Sequence, residues 1–287
     1  MILTIGDDFD LARIAGSGQC FRWEQGGDGW WRILHGAECL YARELGDGRF
    51  SFSCGEAEFD NLWREYFDFS EDYAAIRRRI DPEADPFLWT AAEEEQGIRI
   101  LRQDPWEMLI TFILSQNKNI PGIRRCVEAL CAACGEKRTD VRGREYYAFP
   151  SPASLAALGE EELRACRLGY RCGYVHAAAE AVRDGALDLN ALLTAEEDTS
   201  LRALRQLPGV GLKVASCVAL FGLHRLNAFP RDVWVKRILT NEYPGGYPYE
   251  RYSPYNGVYQ QYMFAWYRSK EAKTRAAGAV SRRTAGC

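Results

Sequence analysis

Three runs near the N-terminus carry the dense apolar and aromatic content of strands. They are Trp30-Trp31-Arg32-Ile33-Leu34, Cys39-Leu40-Tyr41-Ala42 and Arg49-Phe50-Ser51-Phe52-Ser53. Gly26-Gly27-Asp28-Gly29 and Gly46-Asp47-Gly48 separate them, which is the turn chemistry of antiparallel hairpins. Residues 56–80 then place Phe59, Leu62, Trp63 and Phe67 at helical intervals. From residue 91 onward the period is helical, with apolar residues three to four apart in 105–116, 120–134, 152–166, 173–183 and 200–206. Asp104-Pro105 and Ser151-Pro152 read as helix starts, Gly135 and Gly185 as stops. The pattern predicts an α+β chain: a small N-terminal antiparallel sheet domain over 1–90, then a mainly helical bundle over 91–270. The basic segment 271–287 is expected to be a mobile tail.

Composition narrows the class. With 47% hydrophobic and 26% charged residues in 287, disorder and low-complexity scaffolds are excluded. No apolar run approaches the roughly 20 residues of a membrane span. The start, MILTIGDDFD, lacks a basic and then apolar leader, so secretion is not expected. The expectation is a cytoplasmic protein with no membrane partner; a monomer is expected as well. Ten scattered cysteines read as reduced thiols in a core-rich chain. Cys131 and Cys134 form one C-x-x-C inside VEALCAACGEK, a helix ending at Gly135, and no second pair completes a metal site.

The net charge of −4 argues weakly against a nucleic-acid partner, but it hides a gradient. Residues 1–95 hold 9 basic and 21 acidic side chains, net −12; residues 96–287 hold 27 and 19, net +8. Such asymmetry suits a polyanion-facing region beside an acidic one, and equally suits an acidic domain surface kept for solubility.

The informative stretch is LRQLPGVGLKVASCVALFGLHRLNAFPRDVWVKR, Leu204–Arg237. A short helix, the turn Pro208-Gly209-Val210-Gly211 and a second helix form a helix–hairpin–helix over about 200–237. Its glycines permit positive φ and close approach, and the second helix offers free N–H groups. Gly209, Val210 and Gly211 therefore suit phosphate binding through the main chain. Lys213 follows at the edge of an apolar helix, Val214 through Leu223. Desolvation and a helix N-terminus both disfavour an ammonium there, so the amine becomes a usable nucleophile. Asp232, in Phe229-Pro230-Arg231-Asp232, reads as the cap of the next helix and can aim a carboxylate into a cleft.

A hairpin, a lysine and then Pro-x-Asp resemble the helix–hairpin–helix DNA glycosylases, and the resemblance extends to the 8-oxoguanine DNA glycosylase family. Gly16-Ser17-Gly18-Gln19-Cys20-Phe21-Arg22-Trp23 is similar to its S-G-Q-x-F-R-W loop. Leu101-Arg102-Gln103-Asp104-Pro105 and Ser115-Gln116-Asn117-Lys118-Asn119-Ile120 resemble its R-Q-D-P and S-x-N-x-N-I segments. Leu168-Gly169-Tyr170-Arg171 and Pro254-Tyr255 through Gln260 and Phe264 complete the order.

The resemblance implies a bifunctional glycosylase and lyase acting on duplex DNA that contains oxidised guanine. Lys213 would attack C1′ and Asp232 would stabilise positive charge on the sugar. The Gly18 carbonyl would accept from N7–H of the lesion, Gln260 would read its Watson–Crick edge, and Cys217 and Phe264 would stack on its faces. Asn117 would fill the gap, with Tyr170 and Arg171 beside the orphaned base. No cofactor is implied as a requirement, although a monovalent cation at the hairpin fits the family. Gly122 departs from the eukaryotic pattern of an arginine reading the opposite cytosine, and Trp234 stands where a histidine lies beside the aspartate; the chain looks like a bacterial member. The competing expectations are a glycosylase for alkylated or other bases and a non-catalytic DNA-binding module.

Overall fold

The computed structural model describes residues 1–284, with side chains to Glu271. Strands β1 (Ile2–Thr4), β2 (Trp23–Gln25), β3 (Trp31–His35), β4 (Glu38–Gly46) and β5 (Arg49–Phe52) form one antiparallel sheet, ordered β1-β5-β4-β3-β2. Ile33 pairs with Leu40 and Ala42 with Phe52. Ile33, Leu40, Phe50 and Phe52 are buried, and the aromatic residues Phe59, Trp63, Tyr66 and Phe67 pack beneath them. The period-two pattern of β5 and the helical pattern of 56–67 thus describe two sides of one core.

The helical part has its own core, built around helices Pro105–Leu114, Cys172–Arg183 and Leu212–Phe221. The starts at Asp104 and Ser151 hold: each side chain caps its helix and proline occupies the first turn. The two cores interleave across residue 90, since Leu101 belongs to the sheet core while Phe21, Tyr73 and Ile76 belong to the helical one.

One element of the mainly helical second half is not helical. Strands β6 (Lys137–Thr139) and β7 (Glu145–Tyr147) pair as a hairpin. Asp140 at its turn accepts from Arg32 Nε at 2.9 Å and Tyr41 OH at 2.8 Å, tying the hairpin to the sheet domain. Its strands are short and charged, so neither period emerges from the sequence. The C-terminal helix runs Asn256–Thr284, continuing through part of the segment expected to be a mobile tail. The side chains beyond Glu271 and residues 285–287 lie outside the described residues. No helix among the described residues is long and apolar enough to cross a membrane.

Candidate active site

Lys213 is the second residue of the helix Leu212–Phe221. Its ammonium donates to Ser115 Oγ at 3.2 Å and lies 5.4 Å from the centre of the Phe112 ring. Ser115 itself donates to the Phe112 carbonyl, which fixes the acceptor that holds the lysine. One turn further along, Cys217 is buried beside it. Burial pushes the Cys217 thiol up to about 11 against the opposing pull of the Lys213 charge, so it is a neutral wall at physiological pH.

Asp232 caps the helix Val233–Glu242, one carboxylate oxygen accepting from Val235 N–H at 2.8 Å. Asp232 also lines the same cavity as Lys213 and Cys217, so the capping role and the cleft-facing role coexist. Gln260 and Phe264, one turn apart on the C-terminal helix, line that cavity from another side, and Gly18 closes it. Six residues from three distant parts of the chain therefore meet around a space of about 60 Å³.

The Gly18 turn is held rigidly. Gly18 has φ +83°. Next to it, Gln19 is fully buried: its Oε1 accepts from Leu101 N–H at 2.8 Å and its Nε2 donates to the Arg99 carbonyl at 2.8 Å. Gln103 Nε2 donates to the Gln19 carbonyl at 3.0 Å. Arg22 pairs with buried Glu107 at 3.1 Å and donates to the carbonyls of Gly36 and Tyr147. Ser17, Gln19 and Gln103 thus fix the turn that carries Gly18, while Arg22, Arg102 and Asp104 tie the same segments to Glu107, Asp68 and the helix start at Pro105. A Cβ on Gly18 would sit 3.2 Å from Phe264 Cε1, in a backbone conformation that side chains rarely adopt.

The Phe264 ring packs against Gly18 at the lining of this cavity.

At the hairpin, Gly209 has φ +77°, and a Cβ there would lie 2.3 Å from the Tyr174 ring. Val210 is buried and its N–H donates to the Leu207 carbonyl at 3.1 Å. Gly211 corrects the expectation of two positive-φ glycines: its φ is −82° and nothing lies within 4 Å of its Cβ position. It serves as an uncapped helix start whose first N–H groups have no side-chain partner.

Asn117 is exposed with φ +49°, and its Nδ2 donates to Tyr170 OH at 3.3 Å. Tyr170 is 57% exposed. Arg171 differs from the expected outward contact. It is only 5% exposed, and its guanidinium donates to the carbonyls of Gln116 and Leu168 while stacking on Tyr170. In this state Arg171 holds the Asn117 turn in place. At Gly122 a Cβ would meet Lys118 Cγ and Asn119 Oδ1, each at 2.9 Å. The Lys118 stem crosses this position, and its ammonium donates to the Arg167 carbonyl at 3.1 Å. Trp234 stacks with Arg237, 5.2 Å from ring centre to guanidinium.

Sequence reasoning did not single out Ser115, Gln261 or Arg268 as site residues. Gln261 lines the cavity, and Arg268 stacks on Phe264 beside Gly18. Arg268 lies four and eight residues after Phe264 and Gln260, a spacing that could have marked it. A larger groove of about 800 Å³ runs between Tyr66, Arg102, His224 and Tyr255, but no lysine, cysteine or serine lines it. Size therefore does not locate the chemistry here.

Residues 1–109 match the family described as 8-oxoguanine DNA glycosylase, N-terminal domain. Residues 110–244 match the HhH-GPD superfamily base excision DNA repair protein. The N-glycosylase/DNA lyase OGG1 of Arabidopsis thaliana is 39% identical over 161 residues, 55% of this chain and 44% of that protein. The chain thus spans less than half the length of this curated relative. Among solved structures, MBOgg1 in complex with a low affinity DNA ligand has TM-score 0.88 and 34% identity, covering 94% of this chain and 96% of that one. The 8-oxoguanine glycosylase/lyase of Clostridium acetobutylicum, in complex with dsDNA containing cytosine opposite to 8-oxoG, has TM-score 0.86 and 31% identity over 94% and 98%.

Proposed function

The chain belongs to the HhH-GPD superfamily of base excision DNA repair proteins and carries the 8-oxoguanine DNA glycosylase N-terminal domain; from that premise we propose that it excises 8-oxoguanine from duplex DNA and then nicks the strand. The observation that carries the reading is the convergence of Gly18, Lys213, Cys217, Asp232, Gln260 and Phe264 on one pocket.

In this reading the hairpin Gly209–Gly211 and the free N–H groups after it take backbone phosphate without regard to sequence. Asn117 and Tyr170 occupy the space an extruded base leaves, and Arg171 reaches the orphaned partner when its carbonyl contacts open. The base enters against Gly18, whose carbonyl accepts from the N7–H that guanine lacks. Lys213 as free amine bonds to C1′ while the glycosidic bond breaks and its electron pair leaves with the base. Ser115 Oγ is the acceptor that steers the amine. Asp232 remains a carboxylate and stabilises the positive charge that develops on the sugar. The attached nitrogen loses a proton, the C1′–O4′ bond breaks as O4′ takes up a proton, and the Schiff base forms; loss of a C2′ proton then breaks the 3′ C–O bond by β-elimination.

No cofactor is needed for these steps. A monovalent cation at the hairpin is part of the proposal on donor chemistry: its ligands would be main-chain carbonyls. The Leu207 carbonyl accepts only the Val210 N–H and keeps a second lone pair. Nine free cysteines among the described residues suit a reducing, cytoplasmic setting.

The deciding experiment incubates the protein with duplexes carrying 8-oxoguanine, an alkylated purine or no lesion, and traps with borohydride. A covalent adduct confined to the 8-oxoguanine duplex, and lost in Lys213→Gln, supports the proposal. Adduct on the alkylated duplex instead would favour the related alkyl-base specificity. Absence of both adduct and base release would overturn the enzymatic reading.

A further inference from the structure

Gln261 is 3% exposed and lines the pocket beside Gln260. Its Nε2 donates to Gln260 Oε1 at 3.0 Å, while its own Oε1 has no partner. An amide carbonyl buried without a donor is a standing cost to the fold, and a functional pocket is where such a cost is retained. The same hydrogen bond takes one lone pair of Gln260 Oε1 and leaves the Gln260 N–H donors free of it. Gln260 thus offers N–H donors beside the unpartnered carbonyl of Gln261.

A donor next to an acceptor is the complement of a particular base edge. The Watson–Crick edge of guanine presents an oxygen acceptor at C6 and N–H donors at N1 and the 2-amino group. An adenine edge presents a donor and then an acceptor, and lacks the 2-amino group. We propose that Gln261 is a second base-reading residue, whose Oε1 accepts a hydrogen bond from the 2-amino group of the extruded purine while Gln260 donates to its C6 oxygen. The inference rests on the excision activity proposed above and adds to it a second residue that reads the edge of the extruded base.

The test compares single-turnover release of 8-oxoguanine and 8-oxohypoxanthine from otherwise identical duplexes. The two bases share the C6 and C8 oxygens and the N1 and N7 hydrogens, and differ only in the 2-amino group. The unaltered protein is expected to favour 8-oxoguanine about tenfold or more, the effect of leaving one buried acceptor unpaired. In Gln261→Met, which keeps the volume and removes the polar atoms, and in Gln261→Leu, that ratio should collapse to within about twofold, through slower release of 8-oxoguanine alone. A ratio taken within one protein does not depend on the folded fraction, so lost stability cannot imitate the result. Equal slowing of both bases, or a preference that survives in both variants, would overturn the role of Gln261 and leave the excision activity standing. Release of neither base by the unaltered protein would overturn the activity itself, and this inference with it.

Discussion

Asp232 does two jobs with one carboxylate, and they can be separated. One oxygen accepts from Val235 N–H as a helix cap, a task asparagine performs about equally well. The negative charge in the pocket is what asparagine lacks. Asp232→Asn should therefore change stability by no more than about 0.5 kcal/mol while reducing base release at least 100-fold, the scale of losing a charged group in proton transfer or charge stabilisation. Thermal melting and single-turnover kinetics on the same preparation check the two halves, and undiminished turnover would remove Asp232 from the mechanism. At this scale the sequence was most readable where partners share a helix: Lys213 with Cys217, and Gln260 with Phe264. Ser115 was hidden because its bond to Lys213 spans 98 residues. Gln261 was hidden because a Gln-Gln doublet says nothing about which amide keeps a free acceptor.

At the scale of elements, the helix–hairpin–helix was legible because Pro-Gly-Val-Gly has few conformations open to it, and the helix starts were legible because Asp104 and Ser151 precede prolines. The β6–β7 hairpin was not. It is stabilised by Asp140 meeting Arg32 and Tyr41 about a hundred residues away, and nothing in KRT or EYY announces that. The glycines of the recognition hairpin divide in a way only the structure could show, Gly209 constrained and Gly211 open. Gly209→Ala would force a Cβ into the Tyr174 ring at 2.3 Å and strain a φ of +77°. Because the hairpin serves phosphate and not the lesion, binding should weaken about tenfold for damaged and undamaged duplexes alike, with the specificity ratio unchanged. Fluorescence anisotropy titrations at fixed salt measure both. Loss of affinity for the damaged duplex alone would place Gly209 in lesion recognition.

For the whole molecule, total charge was the wrong quantity to read. The acidic residues 1–95 contribute to the pocket only the Gly18 turn, whereas the lysine, the aspartate, the hairpin and the exposed Asn117 turn lie in the positive part. What burial does to the titrating groups of both cores is a better guide to how the protein behaves in solution. Desolvation of the half-buried His35, with the Arg22 charge adding to it and Asp104 opposing, pushes its imidazole down to about 4. On the other side, burial raises the thiols of Cys20 and Cys131 to about 12 and those of Cys39, Cys54 and Cys217 to about 11, from an ordinary 9.0. The signs follow from which state holds more protons. Between pH 6.5 and 4 the unfolded chain takes up the proton that His35 refuses, so stability falls as the pH drops through that window. Above pH 9 the unfolded thiols lose protons that the folded protein keeps, so stability falls as the pH climbs from 9 toward 12. The melting temperature should thus be flat between about pH 6.5 and 9 and decline on both sides. Cys20→Ala tests the alkaline limb, because it removes a fully buried thiol: the variant begins lower at pH 7.5, having lost a packed side chain, but should lose less between pH 9 and 11 than the unaltered protein. Parallel declines in the two proteins would mean that the Cys20 thiol does not contribute to the alkaline limb.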